Sequence, residues 1–258
     1  MIIGNYHLAG ITTRIITTYP YLHDRCVQYK TQGEPQLEIS VTPEDIDFER
    51  TMAQREALAE KIPFHDYPNE IYEFTAAYRK LVEAIAFHNI FLMHGSAIAV
   101  DGKAFIFTAK SGTGKSTHTR LWREYLKERA EMINDDKPLL RVKRSSSGTA
   151  SVTVYGTPWD GKHQLSSNIQ VPLGAVCVLE RAAENRIHRV NAYEELPLLL
   201  QQVYRPRNAE ALKCTIKSVY KTIDTVPVYK LRCNMDISAA TIAYAGMCDP
   251  KSQDLEQP

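Results

Sequence analysis

The chain has 258 residues, with 31 Lys and Arg against 30 Asp and Glu, a formal charge of +1 and 44% hydrophobic residues. That near-neutral balance supplies no field to gather nucleic acid or anionic lipid, so neither is an expected partner. No apolar run approaches the ~20 residues of a membrane span, and Met1-Ile2-Ile3-Gly4-Asn5-Tyr6-His7 lacks the basic-then-apolar plan of a secretory signal. The five cysteines (Cys26, Cys177, Cys214, Cys233 and Cys248) are scattered without a CxxC pair, which argues against a disulfide framework or a zinc site. A cytoplasmic protein with free, mostly buried thiols is expected.

Residues 1 to about 42 alternate apolar and polar positions, as in Arg14-Ile15-Ile16-Thr17 and Leu37-Glu38-Ile39-Ser40-Val41, and read as short strands. Thr42-Pro43-Glu44-Asp45 carries a helix-start signature: a capping residue, proline in the first turn and an acid three places on. That helix is expected to reach about Lys61 and stop before Pro63. A second helix, which Asn69 can cap, sets Ile71, Phe74, Tyr78, Leu81, Val82 and Ile85 on one face for core packing.

Two apolar strands follow, Phe91 to Val100 and Lys103 to Thr108, joined by Asp101-Gly102. An Asp-Gly link between apolar runs predicts a tight hairpin, so the sheet around it is mixed rather than all parallel. The second strand runs into Ala109-Lys110-Ser111-Gly112-Thr113-Gly114-Lys115-Ser116-Thr117 and then a helix-like segment through Leu121-Trp122. This is the setting of a phosphate-binding loop, in which small residues let backbone N–H groups turn inward and the helix start adds partial positive charge. Ser111 to Thr117 are the candidate nucleotide-binding residues. Lys115 would reach the β- and γ-phosphates, and the Ser116 hydroxyl would ligate Mg²⁺. Ala109 replaces the first glycine of the strict motif.

Glu131-Met132-Ile133-Asn134 predicts a strand ending at Asp135-Asp136. Phosphoryl transfer uses a carboxylate near Mg²⁺ and gains from a second that accepts a hydroxyl proton. Asp135 and Asp136 are candidates for both duties, with the division between them open. Strands at Leu139–Val142 and Ser151–Tyr155 bracket a serine-rich turn at 145–148. The stretch Gly156 to His163 has loop composition. Within it Lys162 is a candidate cation to close over the γ-phosphate, and Trp159 either stacks on a substrate or plugs the core edge. A buried strand at Leu173–Leu179, helices at about 193–204 and 208–222, a strand at Val228–Leu231, a helix at about 237–246 and ten frayed residues complete the chain. Arg181, Arg205 and Arg207 are secondary candidates for phosphate contacts; the usual role of such arginines is solvated.

His94-Gly95, the Ser111–Thr117 loop, Ile133-Asn134-Asp135-Asp136, Tyr155-Gly156-Thr157-Pro158-Trp159, Val178-Leu179-Glu180-Arg181 and Pro227-Val228-Tyr229-Lys230-Leu231 occur in the order found in HPr kinase/phosphorylases. Over roughly residues 88 to 246 the chain resembles the broad group of HPr-kinase-related serine kinases, and its loop is similar to that of ATP-dependent phosphoenolpyruvate carboxykinases. The resemblance implies an α/β fold: a mixed-sheet P-loop kinase core of the HPr kinase/PEP carboxykinase type over residues 67–258, preceded by a small N-terminal α+β region over residues 1–66. It implies ATP and Mg²⁺, with Ser116, Asp135 and Asp136 around the metal and Asp135, Asp136, His94 and Lys162 in catalysis, His94 tuning or relaying the proton of the base. The acceptor hydroxyl would belong to serine in a peptide or small protein, or to a metabolite, and a homo-oligomer is compatible. Gly156-Thr157-Pro158-Trp159 stands where HPr kinases carry the signature for reverse phosphorolysis, so that activity and HPr itself are not carried over. A nucleotide-binding module without catalysis is the competing class.

Overall fold

The computed structural model describes residues 1–145 and 148–248. The centre of the expected serine-rich turn and the expected frayed tail, residues 249–258, lie outside that range. Contacts divide the chain into two compact units, Met1–Ile85 and Ala86 onward. The first unit thus extends beyond residue 66, because the helix expected to open the second region packs instead on the helix and strand before it.

In the first unit, β1 (Ile2–Leu8) and β2 (Ile11–Thr17) form an antiparallel hairpin with Leu8 opposite Ile11. Its turn is Ala9-Gly10, and both residues take positive φ, 50° and 79°, the backbone hand that matches strand twist. After the short α1 (Tyr21–Arg25), β3 (Leu37–Ser40) pairs parallel to β2. Helix α2 (Pro43–Glu60) starts with a complete capping box between Thr42 and Asp45 and ends at Lys61 in the left-handed conformation. Helix α3 (Asn69–Ile85) buries Tyr78, Leu81, Val82 and Ile85, together with Tyr72 and the alanines Ala76 and Ala77. Asn69 is not a free cap, since its side-chain oxygen accepts from Arg50.

Asp45 also ties the two helices together. It accepts from Arg79 at 3.0 Å and Lys80 at 2.6 Å, with its side chain only 16% exposed. Burial pushes the Asp45 carboxyl up, but the bonds from Lys80, the Thr42 N–H and Arg79 outweigh it and hold the pKa at about 2.

The second unit is a curled mixed sheet of nine strands. They are β4 (Ile90–Leu92), β5 (Ser96–Val100), β6 (Lys103–Thr108), β7 (Ala130–Asn134), β8 (Leu139–Arg144), β9 (Ala150–Tyr155), β10 (Gln170–Arg181), β11 (Arg186–Val190) and β12 (Val228–Cys233). The main path is β4-β8-β9-β10-β6-β5-β7, with β12 on β10 and β11 on β12. Strand β10 turns the corner: its start pairs antiparallel with β9, its middle parallel with β6 and its end parallel with β12. Helices α4 (Lys115–Leu126), α5 (Ala192–Gln201), α6 (Ala209–Thr225) and α7 (Ser238–Cys248) bring the described residues to seven α-helices.

The Asp101-Gly102 hairpin forms, with Val100 opposite Lys103 and φ of 49° and 77° at the turn. Side chains of β6 then alternate between two cores. Ala104 and Ile106 join the core beneath α5 and α6, and Phe105 and Phe107 join the one that holds Trp122 of α4 and Ala243 of α7.

Three expectations need correction. The strand from Phe91 to Val100 is broken at Met93–Gly95, where the His94 N–H goes to Gln202 O at 2.6 Å and the Gly95 N–H to Asp136 O at 3.1 Å instead of a neighbouring strand. Strand β11 is additional, because its sequence Arg-Ile-His-Arg-Val is mostly exposed and only pairing with β12 defines it. Of the cysteines only Cys26 and Cys177 are buried; Cys214, Cys233 and Cys248 are half-buried.

A lowered folded-state pKa contributes stability above the ordinary carboxylate range, and that contribution is lost as pH falls through about 2. Asp45→Asn is therefore expected to lower the unfolding free energy by about 2 kcal/mol at pH 7 in urea titrations. The deficit against the native chain should shrink as the pH drops below 4, and a deficit constant with pH would contradict the assignment.

Candidate functional site

Strand β6 ends at Thr108, and the chain turns through Ala109–Gly114 into α4. Ala109 is 1% exposed and belongs to the core around Trp122. A small apolar residue therefore serves where the strict motif has glycine. Gly112 and Gly114 have φ of 76° and 119°. A Cβ at Gly112 would meet nothing within 4 Å, so the left-handed backbone, not space, calls for glycine there. Thr113 braces the turn by donating its hydroxyl to Lys110 O at 2.8 Å. Arg181, at the end of β10, donates to Thr113 O at 3.2 Å and to Gly112 O. It is an exposed arginine that also clamps the loop. Arg205 and Arg207 are exposed.

Gly114 caps α4 without a side-chain bond, so the helix start presents backbone N–H groups and the positive end of its dipole. Ser111 and Ser116 are exposed, while Thr113, Lys115 and Thr117 are half-buried. Lys115 reaches back to Ala109 O at 3.4 Å. Burial lowers its pKa, and the nearby charge of Asp136 partly restores it. Behind this turn, Thr119 bonds Ser96 of β5 at 2.9 Å, and the Trp122 indole donates to His118 Nε2 at 3.0 Å. His118 is buried and neutral, its pKa pushed down to about 3 by burial.

His94 lies in the strand break, where the Thr108 hydroxyl donates to its carbonyl at 2.9 Å. Its Nε2 is 2.9 Å from Asp136 Oδ1, and Lys137 Nζ is 3.3 Å from Asp136 Oδ2. Burial alone would raise the Asp136 pKa, but the His94 bond and the Lys137 charge hold it below the ordinary carboxylate value. Asp135 goes the other way. Burial raises it, the charges of Asp160 and Asp136 add to the rise, and the Gly161 N–H, donating at 2.6 Å, offsets part. Asp135 and Ser116 line one small cavity of about 100 Å³, with Arg120, Arg123 and His163 also on its wall.

Asn134, to which the sequence alone assigns no role, fixes the turn that carries Asp136. Its Oδ1 accepts from the N–H groups of Asp136 at 2.8 Å and Lys137 at 2.6 Å, an Asx-type turn that bends the chain straight after β7. Its Nδ2 donates to Thr157 O, Thr157 Oγ1 and Trp159 O at 3.0–3.2 Å. Gly156 is obligatory beside it, since a Cβ there would sit 1.8 Å from Ser167 O and 2.7 Å from Ile133 O. The signal available in sequence was an asparagine two residues before Asp136 at a strand end, a turn-former with a mechanism. Trp159 is 3% exposed and plugs the core. Lys162 is exposed, one residue beyond the Gly161 amide that binds Asp135.

Among the described residues no group of three or more His, Cys, Asp and Glu is arranged to hold a metal ion. Mg²⁺ ordinarily takes only one or two protein ligands beside substrate phosphates and water. The donors present fit that mode: the Ser116 hydroxyl and the buried Asp135 carboxylate share one cavity, whose wall also carries Arg120 and Arg123.

No protein-family model matches the chain, and no curated protein does. Among solved structures, the HPr(Ser) kinase/phosphatase from Coxiella burnetii is similar at 10% identity and a TM-score of 0.30, over 59% of this chain and 93% of that one. No helix among the described residues is long and apolar enough to cross a membrane.

Asn134→Ala removes the acceptor of the Asp136 and Lys137 amides and one donor each to the Thr157 and Trp159 carbonyls. It is expected to cost about 3 kcal/mol in urea unfolding and to speed hydrogen exchange at the Asp136 and Lys137 amides. Unchanged exchange there would show that Asn134 does not hold the turn.

Proposed function

We propose that the chain is a phosphotransferase, in which the loop Ala109–Thr117 binds the phosphates of ATP and the γ-phosphoryl group passes to a hydroxyl. The carrying observation is that Ser116, in the first turn of α4, and Asp135 line one cavity, while the adjacent Asp136 is hydrogen-bonded to His94. A phosphate grip and a candidate proton acceptor therefore share one site. The order of the motifs along the sequence supports the same reading.

In this scheme the α4 amides and Lys115 hold the β- and γ-phosphates and offset their charge. Ser116 and Asp135, which share a cavity, would hold Mg²⁺, whose role when bound is to neutralise charge on the transferring group. Asp136 is ionised and oriented by His94 and Lys137. It takes the acceptor proton as the new O–P bond forms and the bond to the leaving ADP breaks, and the proton is then released to water. His94 holds Asp136 through Nε2 and stabilises the charge before transfer. Lys162, exposed beside the Asp135 contact, is the cation proposed to approach the γ-phosphate. Serine in a peptide or small protein is the proposed acceptor, with a metabolite hydroxyl as the alternative.

Full-length chain incubated with ATP, Mg²⁺ and pools of serine peptides, proteins and metabolites should yield products heavier by one phosphoryl group. Lys115→Ala should weaken ATP binding at least about tenfold, the scale of a lost charge-assisted contact. Asp136→Asn should keep ATP affinity and lower turnover about 10²–10⁴-fold. ATP binding that is insensitive to both aspartates, with no phosphorylated product in any pool, would reduce the chain to a nucleotide-binding module.

A further inference from the structure

Helix α4 brings further residues to the small cavity shared by Ser116 and Asp135. Ser116, Thr119, Arg120 and Arg123 fall at i, i+3, i+4 and i+7, one face of the helix. Leu121, Trp122 and Leu126 are buried in the core. His163 joins the same wall from the loop whose Gly161 N–H donates to Asp135. The cavity is therefore lined by two guanidiniums and an imidazole against one carboxylate.

The phosphoryl donor leaves these cations unused. Its phosphates are served by the α4 amides and Lys115 at the helix start. With a rise of about 1.5 Å per residue, Arg120 and Arg123 stand about 6 and about 10 Å further along the helix than Ser116. The protein's own acids leave them unused as well. Arg120 meets Glu124 at 3.3 Å, an exposed i,i+4 pair of the kind that contributes little. The side chains of Arg123 and His163 have no hydrogen bond or ion pair among the described residues. A guanidinium fork matches a carboxylate or phosphate through two parallel bonds, so the group this wall lacks is an anion. Asp135 adjoins Asp136, and a molecule whose anion rests on this wall presents a neighbouring hydroxyl to the proposed base.

We propose that this wall recognises the acceptor, and that the acceptor is a serine peptide carrying an aspartate or glutamate beside the serine. Arg120 and Arg123 bind that carboxylate and are the specificity-determining residues. A ring N–H of His163, present in either tautomer, adds a third contact. The proposal rests on the phosphoryl-transfer reading above and adds the charge that its acceptor must carry. A serine flanked by neutral residues leaves both arginines in water and gains nothing from them.

Full-length chain with ATP, Mg²⁺ and a peptide library holding one serine between randomised positions tests it, read by mass spectrometry. Asp and Glu should be enriched beside the phosphorylated serine. Between matched peptides with Glu or Gln at that position, kcat/KM should favour Glu at least about tenfold, the scale of a charge-assisted contact. Arg123→Gln should abolish most of that preference and leave the calorimetric affinity for ATP unchanged. Arg123→Glu should reverse it, toward a serine flanked by lysine. Should either variant fail to fold, salt decides in the native chain: it should raise KM for the Glu peptide and not for the Gln peptide. Equal kcat/KM for the two peptides would overturn the proposal and leave phosphoryl transfer standing. So would an acidic preference that survives Arg120→Gln combined with Arg123→Gln, or a KM for the Glu peptide that salt does not move. An ATP affinity that falls in step with turnover would make the arginines donor contacts and overturn it equally. Faster turnover of free serine or glycerate than of any acidic peptide would overturn the peptide assignment and give the wall to a metabolite's anion. ATP binding with no phosphorylated product from any of these would remove the phosphoryl-transfer reading itself.

Discussion

Strand β6 has no solvent face: Ala104 and Ile106 are sealed in one core, Phe105 and Phe107 in another, and β5 and β10 pair along its two edges. A strand held on four sides cannot slip by one residue without turning every side chain to the wrong core. Its C-terminal end is therefore a fixed point, and the loop that follows inherits that precision. Ala109 continues the buried pattern one residue past the strand, so the loop begins inside the core rather than on its surface. Helix α4 is locked in turn by Trp122, which packs against Phe105 and Phe107. A phosphate grip made of backbone amides needs this rigidity, because amides stabilise charge most when they need not reorganise.

The acidic side of the site is built by a different means. The segment after β7 has little apolar anchoring, and its shape comes from a polar junction in which Asn134, Thr157 and the Gly161 amide each satisfy a buried partner. In that setting two adjacent aspartates acquire opposite electrostatics. Asp135 is desolvated and crowded by like charge, whereas Asp136 is stabilised by His94 and Lys137. Division of labour between neighbours with the same side chain follows from environment rather than from residue type.

Much of this was legible in the chain itself. The capping box at Thr42, the Asp101-Gly102 hairpin and the strand–loop–helix around Gly114 are local features, each fixed by a few consecutive residues and a specific backbone conformation. The break at Met93–Gly95 was not legible, since the partners that capture those amides, Gln202 and Asp136, are far away in sequence. The role of Arg181 was hidden for the same reason: its bonds go to carbonyls 68 and 69 residues earlier.

Residue types along the chain already offered the chemistry: a glycine-bearing turn before Lys115 and Ser116, paired acids at a strand end, and a histidine before the hairpin. Residue type and short-range spacing suffice for that, because backbone preference and functional-group chemistry are local. Which groups meet depends on the folded chain. It joined Asp136 to His94 and Asp135 to the cavity of Ser116. It buried Trp159 as a core plug, and it set Arg120, Arg123 and His163 on one cavity wall with Asp135. Those outcomes depend on contacts between distant segments, which the curled sheet brings together and no local pattern encodes.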